Sequence, residues 1–180
     1  MNHEMILAGF GGQGVMLMGQ IITYAGMMEE RQVSWFPAYG PEMRGGTANC
    51  SVIISDDPVG TPIVTEPEVV VAMNLPSLDK FEPQLVPGGA LLINSSLIER
   101  NPHRADVKEY RIPCNEIAKE IGNMKVANMV MVGAIIAASG AVKLESVLEV
   151  CAKKVFKNKP EAMKLNEQAI LRGMECVNKK

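Results

Sequence analysis

The segment Gly9-Phe10-Gly11-Gly12-Gln13-Gly14 constrains this chain more than any other part of it. It follows a short apolar run, Met5-Ile6-Leu7-Ala8, and precedes a stretch of helical period over residues 14–28. Strand, glycine turn and helix in that order meet the G-x-G-x-x-G pattern in its proper context. A side chain in such a turn would block the tight bend, or hold a ligand's phosphate away from the backbone N–H groups. Those N–H groups lie at the positive end of the helix dipole, where an anion is favoured. Two readings stay open: a site for a phosphate-bearing ligand or neighbouring backbone, and glycines that serve strand–helix packing alone.

A conventional dinucleotide site usually has an Asp or Glu about 20 residues on, at the end of the second strand, to bind the ribose. Here that region reads Val33-Ser34-Trp35-Phe36-Pro37, without a carboxylate. An NAD-dependent dehydrogenase is therefore disfavoured. The next segment, Tyr39-Gly40-Pro41-Glu42-Met43-Arg44-Gly45-Gly46, is the second candidate binding element. Arg44 offers a planar guanidinium for a carboxylate or phosphate, and Gly45-Gly46 allow close backbone approach. Glu42 could fix Arg44 by pairing with it, or meet a partner chain; a turn with a surface ion pair is the plainer alternative. In a doubly wound sheet this loop is expected beside the first glycine turn, because ligands bind at the carboxyl ends of the strands.

Further along, apolar runs bounded by turn residues alternate with segments of helical period. Strands are expected at 4–8, 32–36, 47–55, 69–73, 90–94 and 108–112. Helices are expected at 14–28, 77–81, 115–121, 126–139, 144–157 and 161–177, with Pro76 and Pro160 in first turns. In the third strand Ala48, Cys50, Val52 and Ile54 share one face, and Thr47, Asn49, Ser51 and Ile53 the other. The pattern implies one α/β domain over residues 1–180, a Rossmann-like layered fold with a mainly parallel sheet and a helical C-terminal part. Gly133, Ala134, Ala137 and Ala138 recur at helical spacing, so the helix over 126–139 can approach a neighbour closely.

Bulk composition removes several functions. A formal net charge of −2 gives no electrostatic footprint for nucleic acid. The one lysine cluster, Lys153, Lys154, Lys157 and Lys159, reads as a solvated helix face. The longest apolar stretch, 126–142, is interrupted by Asn128, Gly133, Ser139 and Gly140 and suits a buried helix rather than a bilayer span. The four cysteines, Cys50, Cys114, Cys151 and Cys176, form no C-x-x-C pair, so no zinc or iron–sulfur motif is supported. Ordinary buried thiols and no visible signal peptide suit the cytoplasm. His3 and His103 fall where solvent exposure is expected. No nucleophile elbow, Walker lysine or metal-ligand set is visible, so no catalytic residue is assigned.

The glycine turn with Val15, the run from Tyr39 through Gly46 to Thr47-Ala48-Asn49-Cys50, and Asn128 with Gly133-Ala134 together resemble the gamma subunit of 2-oxoacid:ferredoxin oxidoreductases. The likeness spans nearly the whole chain and is most like the 2-oxoglutarate type, though pyruvate, branched-chain and indolepyruvate types share these motifs. The resemblance implies a part in the CoA-dependent oxidative decarboxylation of a 2-oxoacid to an acyl-CoA, with electrons passing to ferredoxin. It places thiamine diphosphate and the iron–sulfur clusters in other subunits: thiamine-binding alpha- and beta-type subunits and a ferredoxin-like one. Coenzyme A is then shared, with Gly11, Gly12, Gln13, Gly14, Glu42, Arg44, Gly45 and Gly46 as candidate contacts. A hetero-oligomer follows, and a homodimer of the isolated chain stays open. The alternative is a stand-alone nucleotide-binding regulatory or scaffold module without a catalytic role.

Overall fold

Alternation along the strands gives the sheet two buried faces of unequal weight. The computed structural model describes residues 1–39 and 47–179. Its six strands are β1 (Asn2–Phe10), β2 (Gln32–Tyr39), β3 (Thr47–Ser55), β4 (Val69–Ala72), β5 (Ala90–Asn94) and β6 (Lys108–Ile112). Met5 and Leu7 of β1, Val69 and Val71 of β4, and Leu92 of β5 enter the larger core. Their neighbours Ile6, Ala8, Val70, Ala72, Leu91 and Ile93 enter a smaller one. The period of two along each strand thus feeds two helical layers at once, as a sheet covered on both faces requires.

The larger core holds α1 (Val15–Met28), α3 (Cys114–Ile121), α4 (Ala127–Ser139), α5 (Leu144–Val150) and α6 (Pro160–Asn178). The smaller is closed by α2 (Leu75–Phe81) and by Val64, Leu85 and Ile98 from the connecting segments. Asn74 caps α2 by accepting from the Ser77 N–H at 3.0 Å, with a proline in the first turn, as expected for Pro76.

The strand order is β2-β3-β1-β4-β5-β6. β1, β4, β5 and β6 pair in parallel, whereas β3 runs antiparallel to both β1 and β2. The mainly parallel sheet is as expected, with β3 as its one reversed strand. β2 therefore lies two strands from β1, roughly 10 Å away at the usual strand spacing. That separates the β2 end from the position a dinucleotide fold uses for its ribose carboxylate. β3 divides its residues as its alternation predicts: Ala48, Cys50, Val52 and Ile54 are buried, while Thr47, Asn49 and Ser51 are half-buried.

Three local expectations need correction. β2 runs on through Pro37 to Tyr39, which an edge strand permits because one side of its backbone needs no ladder partner. The helix expected over 144–157 stops at Val150 and continues as a π turn, Cys151–Val155. Lys153 and Lys154 are therefore on that turn, and Lys157 and Lys159 in the link to α6, rather than on one helix face. His3 is buried, not exposed: β1 starts at Asn2, and the ring is held 2.8 Å from the Glu68 carboxylate. His103 is exposed, as expected.

α4 and α6 pack almost backbone to backbone. A methyl group at Gly133 would overlap the Ile170 carbonyl, and one at Gly173 the Val130 carbonyl. Cys50, Cys114 and Cys151 are buried and Cys176 half-buried, all as free thiols. Burial pushes the Cys50 and Cys151 thiols up to about 12, the former offset in part by a Trp35 contact, and raises Cys114 and Cys176 as well. Among the described residues no helix is long and apolar enough to cross a membrane.

Candidate functional site

The sheet reverses its winding at β1, whose neighbours on either side are β3 and β4. The crevice beyond the carboxyl end of β1 is where an open α/β sheet places its ligand. The glycine turn lies there. Gly12 has φ +92° and Gly14 φ +74°, both left-handed values that favour glycine. The two differ in surroundings: a methyl at Gly12 would point into open space, whereas one at Gly14 would overlap the Asn128 amide. Gly11 and Gly12 are exposed.

Gln13 has a different part from its glycine neighbours. Its Oε1 accepts from the Phe10 N–H at 2.6 Å and its Nε2 donates to the Met73 carbonyl at 3.2 Å. Asn74 Nδ2 also donates to Gln13 Oε1, at 3.4 Å. The side chain clamps the turn to the end of β4 and leaves its backbone facing the crevice. A second amide, Asn94, fully buried at the end of β5, donates to Asn115 Oδ1 at 2.9 Å and accepts from the Cys114 and Ser96 N–H groups, each at 3.3 Å. With Asn74 it forms a floor of hydrogen-bonded amides under the cleft.

The cleft itself has a volume of about 210 Å³ and is lined by Gly12, Gln13 and Gly14 on one side. Asn115, Lys125 and Asn128 supply polar groups on the other. Two helices open onto it. α1 starts at Gly14 with no side-chain cap and no acidic residue in its first turn. α4 instead continues from a 3-10 turn, Met124–Val126, in which Asn123 Oδ1 accepts from the Lys125 N–H at 3.0 Å and the Ala127 N–H reaches the Met124 carbonyl. The first N–H groups of a helix lack intrahelical partners, and with the dipole they favour an anion. α3 differs: Asn94 caps its Cys114 N–H, and Ser96 Oγ accepts from Asn115 and Glu116. Lys125 is exposed beside α4 and forms no ion pair among the described residues. Asn128 Nδ2 donates weakly to the Gly14 carbonyl at 3.4 Å.

The arrangement can hold a phosphate or carboxylate against backbone N–H groups and one ammonium. Nearby groups of three or more His, Cys, Asp or Glu side chains able to hold a metal are absent among the described residues. Of the expected contacts, Gly11, Gly12, Gln13 and Gly14 fall in this cleft or on its rim, with the Gln13 side chain already engaged. Glu42, Arg44, Gly45 and Gly46 lie outside the described residues. The flanking residues are placed: Thr47 pairs opposite Phe10, so that end of the segment meets the glycine turn, whereas Tyr39 pairs opposite Ala48, one strand further out. Lys125 was not legible as a site residue. It has no motif around it and reaches the cleft only because α4 docks against the start of α1.

Comparison with known proteins places this geometry in a lineage. The sequence profile described as pyruvate ferredoxin/flavodoxin oxidoreductase matches residues 4–176. The chain is 39% identical over 169 residues to the ketoisovalerate oxidoreductase subunit VorA of Methanothermobacter thermautotrophicus, covering 94% of this chain and 35% of that one. It thus spans about a third of that relative's length. It is 35% identical to the 2-oxoglutarate synthase subunit KorC of Methanocaldococcus jannaschii, covering 98% and 95% of the two chains. The crystal structure of a keto/oxoacid ferredoxin oxidoreductase gamma subunit from Geobacter sulfurreducens superposes with a TM-score of 0.86 at 29% identity, over 99% of each chain. The profile match over residues 4–176 and the identities to VorA and KorC identify the chain as a member of the pyruvate ferredoxin/flavodoxin oxidoreductase family, similar in fold to its gamma subunits.

Proposed function

We propose that this chain is the gamma subunit of a multi-subunit 2-oxoacid:ferredoxin oxidoreductase, and that its glycine cleft holds the phosphate end of coenzyme A. The observation that carries the reading is the convergence of the uncapped α1 start and Lys125 on the Gly12–Gly14 turn. Coenzyme A presents phosphates on a long flexible arm. A shallow anion cleft can fix those phosphates and leave the thiol end to reach a neighbouring subunit. The described residues fit that group: backbone donors, the Lys125 ammonium and neutral amides, with no carboxylate among the described residues that line the cleft.

Coenzyme A would accept the acyl group formed from the 2-oxoacid, while thiamine diphosphate and the iron–sulfur clusters work in partner subunits. This chain's contribution is to bind and orient. Arg44, with Glu42, Gly45 and Gly46, is the further candidate contact for coenzyme A, Arg44 as the anion partner. The relatives' names divide between 2-oxoglutarate and ketoisovalerate; of the two we favour 2-oxoglutarate, because the match to KorC covers 95% of that chain and the match to VorA 35%. The buried free thiols suit a reducing cytoplasm.

The test is recovery of the tagged chain from its native cell, followed by assay of low-potential dye reduction. The expected result is co-purification of thiamine- and cluster-bearing subunits, with reduction that requires both coenzyme A and a 2-oxoacid. Assay with each 2-oxoacid in turn assigns the substrate. A chain recovered alone, binding nucleotide but supporting no reduction, would establish the stand-alone module instead.

A further inference from the structure

The lysine cluster and the outer face of α1 together form a second feature, away from the glycine cleft. A groove of about 390 Å³ lies between α1 and the π turn, lined by Leu17, Gln20, Ile21, Tyr24, Lys154 and Val155. Leu17, Tyr24, Met27 and Met28 follow one another at helical spacing, so they form a stripe on one side of α1. Tyr24, Met27 and Met28 remain 41%, 53% and 41% exposed, values high enough to leave a continuous apolar strip in water. The Lys154 ammonium sits over the Tyr24 ring, 4.6 Å from its centre. From there the chain carries Lys157 and Lys159, with Lys153 one residue before Lys154; all four are exposed. No acidic residue lies between Val150 and Pro160. Lys153 pairs with Glu149, an exposed pair of the kind that stabilises little.

We infer that this groove, with the Lys153, Lys154, Lys157 and Lys159 rim, is a docking surface for an acidic protein segment of a partner subunit, an apolar side chain entering beside Tyr24 and carboxylates meeting the lysines. The inference rests on the reading of the chain as one subunit of a larger complex. Charge selects the occupant. The chain as a whole is slightly acidic, at −2, so four lysines within seven residues run against its overall balance. A second copy in two-fold pairing would bring this same patch onto itself, lysine against lysine. An anionic bilayer would meet the lysines, but Ile21 is buried at the groove floor and out of its reach. The Lys154–Tyr24 contact fixes one rim cation in advance, which lowers the ordering cost of docking. A π turn at this point also accords with the frequent siting of such turns at functional surfaces.

The experiment compares the full-length wild-type chain with K153E/K154E/K157E and with Tyr24→Ala, titrating each against the co-purified partner subunits at ~50 mM and ~300 mM salt, a range over which exposed charges become screened. The lysines are exposed, so the charge-reversal variant keeps its fold, which circular dichroism verifies. The expected result is wild-type affinity that falls with salt, about tenfold or more weaker binding for the reversal variant, and a flattened salt dependence. Tyr24→Ala weakens binding at both salts. Unchanged assembly by the reversal variant overturns the inference while leaving the subunit reading intact. So does a wild-type homodimer, or wild-type binding to phosphatidylserine vesicles, that the reversal variant alone loses while its assembly persists. If the wild-type chain binds no partner subunit, the subunit reading itself fails and the docking surface falls with it.

Discussion

Single residues in the glycine turn have separable jobs, and substitution distinguishes them. Gly12→Ala meets only backbone strain, since open space surrounds the new methyl; a left-handed non-glycine residue costs about 1–2 kcal/mol. Gly14→Ala adds a collision with Asn128 to similar strain and is expected to lose more stability. Thermal melts of the two variants check that order. Gln13→Ala removes the side-chain partner of the Phe10 N–H and leaves the Met73 carbonyl with Asn94 Nδ2 alone, at 3.4 Å. Leaving the Phe10 N–H unpaired costs about 1–3 kcal/mol where water cannot replace the bond, so a lowered denaturant midpoint is predicted. The glycines were legible in the sequence because their demand is local. The role of Gln13 was not: its partners Met73 and Asn74 are 60 and 61 residues away. Asn128, 114 residues from Gly14, was visible only as part of a family motif.

At the scale of elements, the α4–α6 contact is the most exacting. Gly133→Ala or Gly173→Ala pushes a methyl into the backbone of the other helix. Overpacking of this kind costs typically 1–3 kcal/mol, measurable as a lower melting temperature for either variant. The small-residue spacing of α4 announced a close neighbour, but not that α6 would be the one. The interruption of α5 by the π turn escaped notice, because residues 144–157 keep a helical pattern throughout and the break depends on packing. The thiols give a pH dependence. Cys50 and Cys151 have folded-state values raised to about 12 by burial, above the ordinary cysteine range near 8.5. Unfolding thus releases their protons more readily, so their contribution to stability is full below that ordinary range and declines as pH rises toward 12. Denaturant midpoints measured from pH 8 to 11 are expected to fall. At pH 8 an aromatic disulfide reagent is expected to label Cys176 first, with Cys50, Cys114 and Cys151 reacting only after unfolding.

For the whole molecule, the alternation of strands and helices was enough to give the layered α/β class, since burial on two faces of a sheet imposes a readable period. Strand direction was not readable. β3 turns back between β1 and β2 through pairings that join distant residues, and no local property of residues 47–55 records that reversal. The consequence is positional: it removes the second strand from the flank of β1 and puts Thr47, at one end of the Arg44 segment, there instead. Lys125 joins the site by the same long-range route, through the docking of α4. The central claim is that this assembled cleft binds the phosphate end of coenzyme A. Its most direct test is calorimetric titration of coenzyme A into the purified complex, with wild-type chain and with Lys125→Ala, Gly12→Val and Arg44→Ala. Loss of one charged hydrogen-bond partner costs about 1.5–3 kcal/mol, so the account predicts affinity about tenfold or more weaker in Lys125→Ala and weaker binding in the other two. Wild-type affinity in all three variants would contradict it.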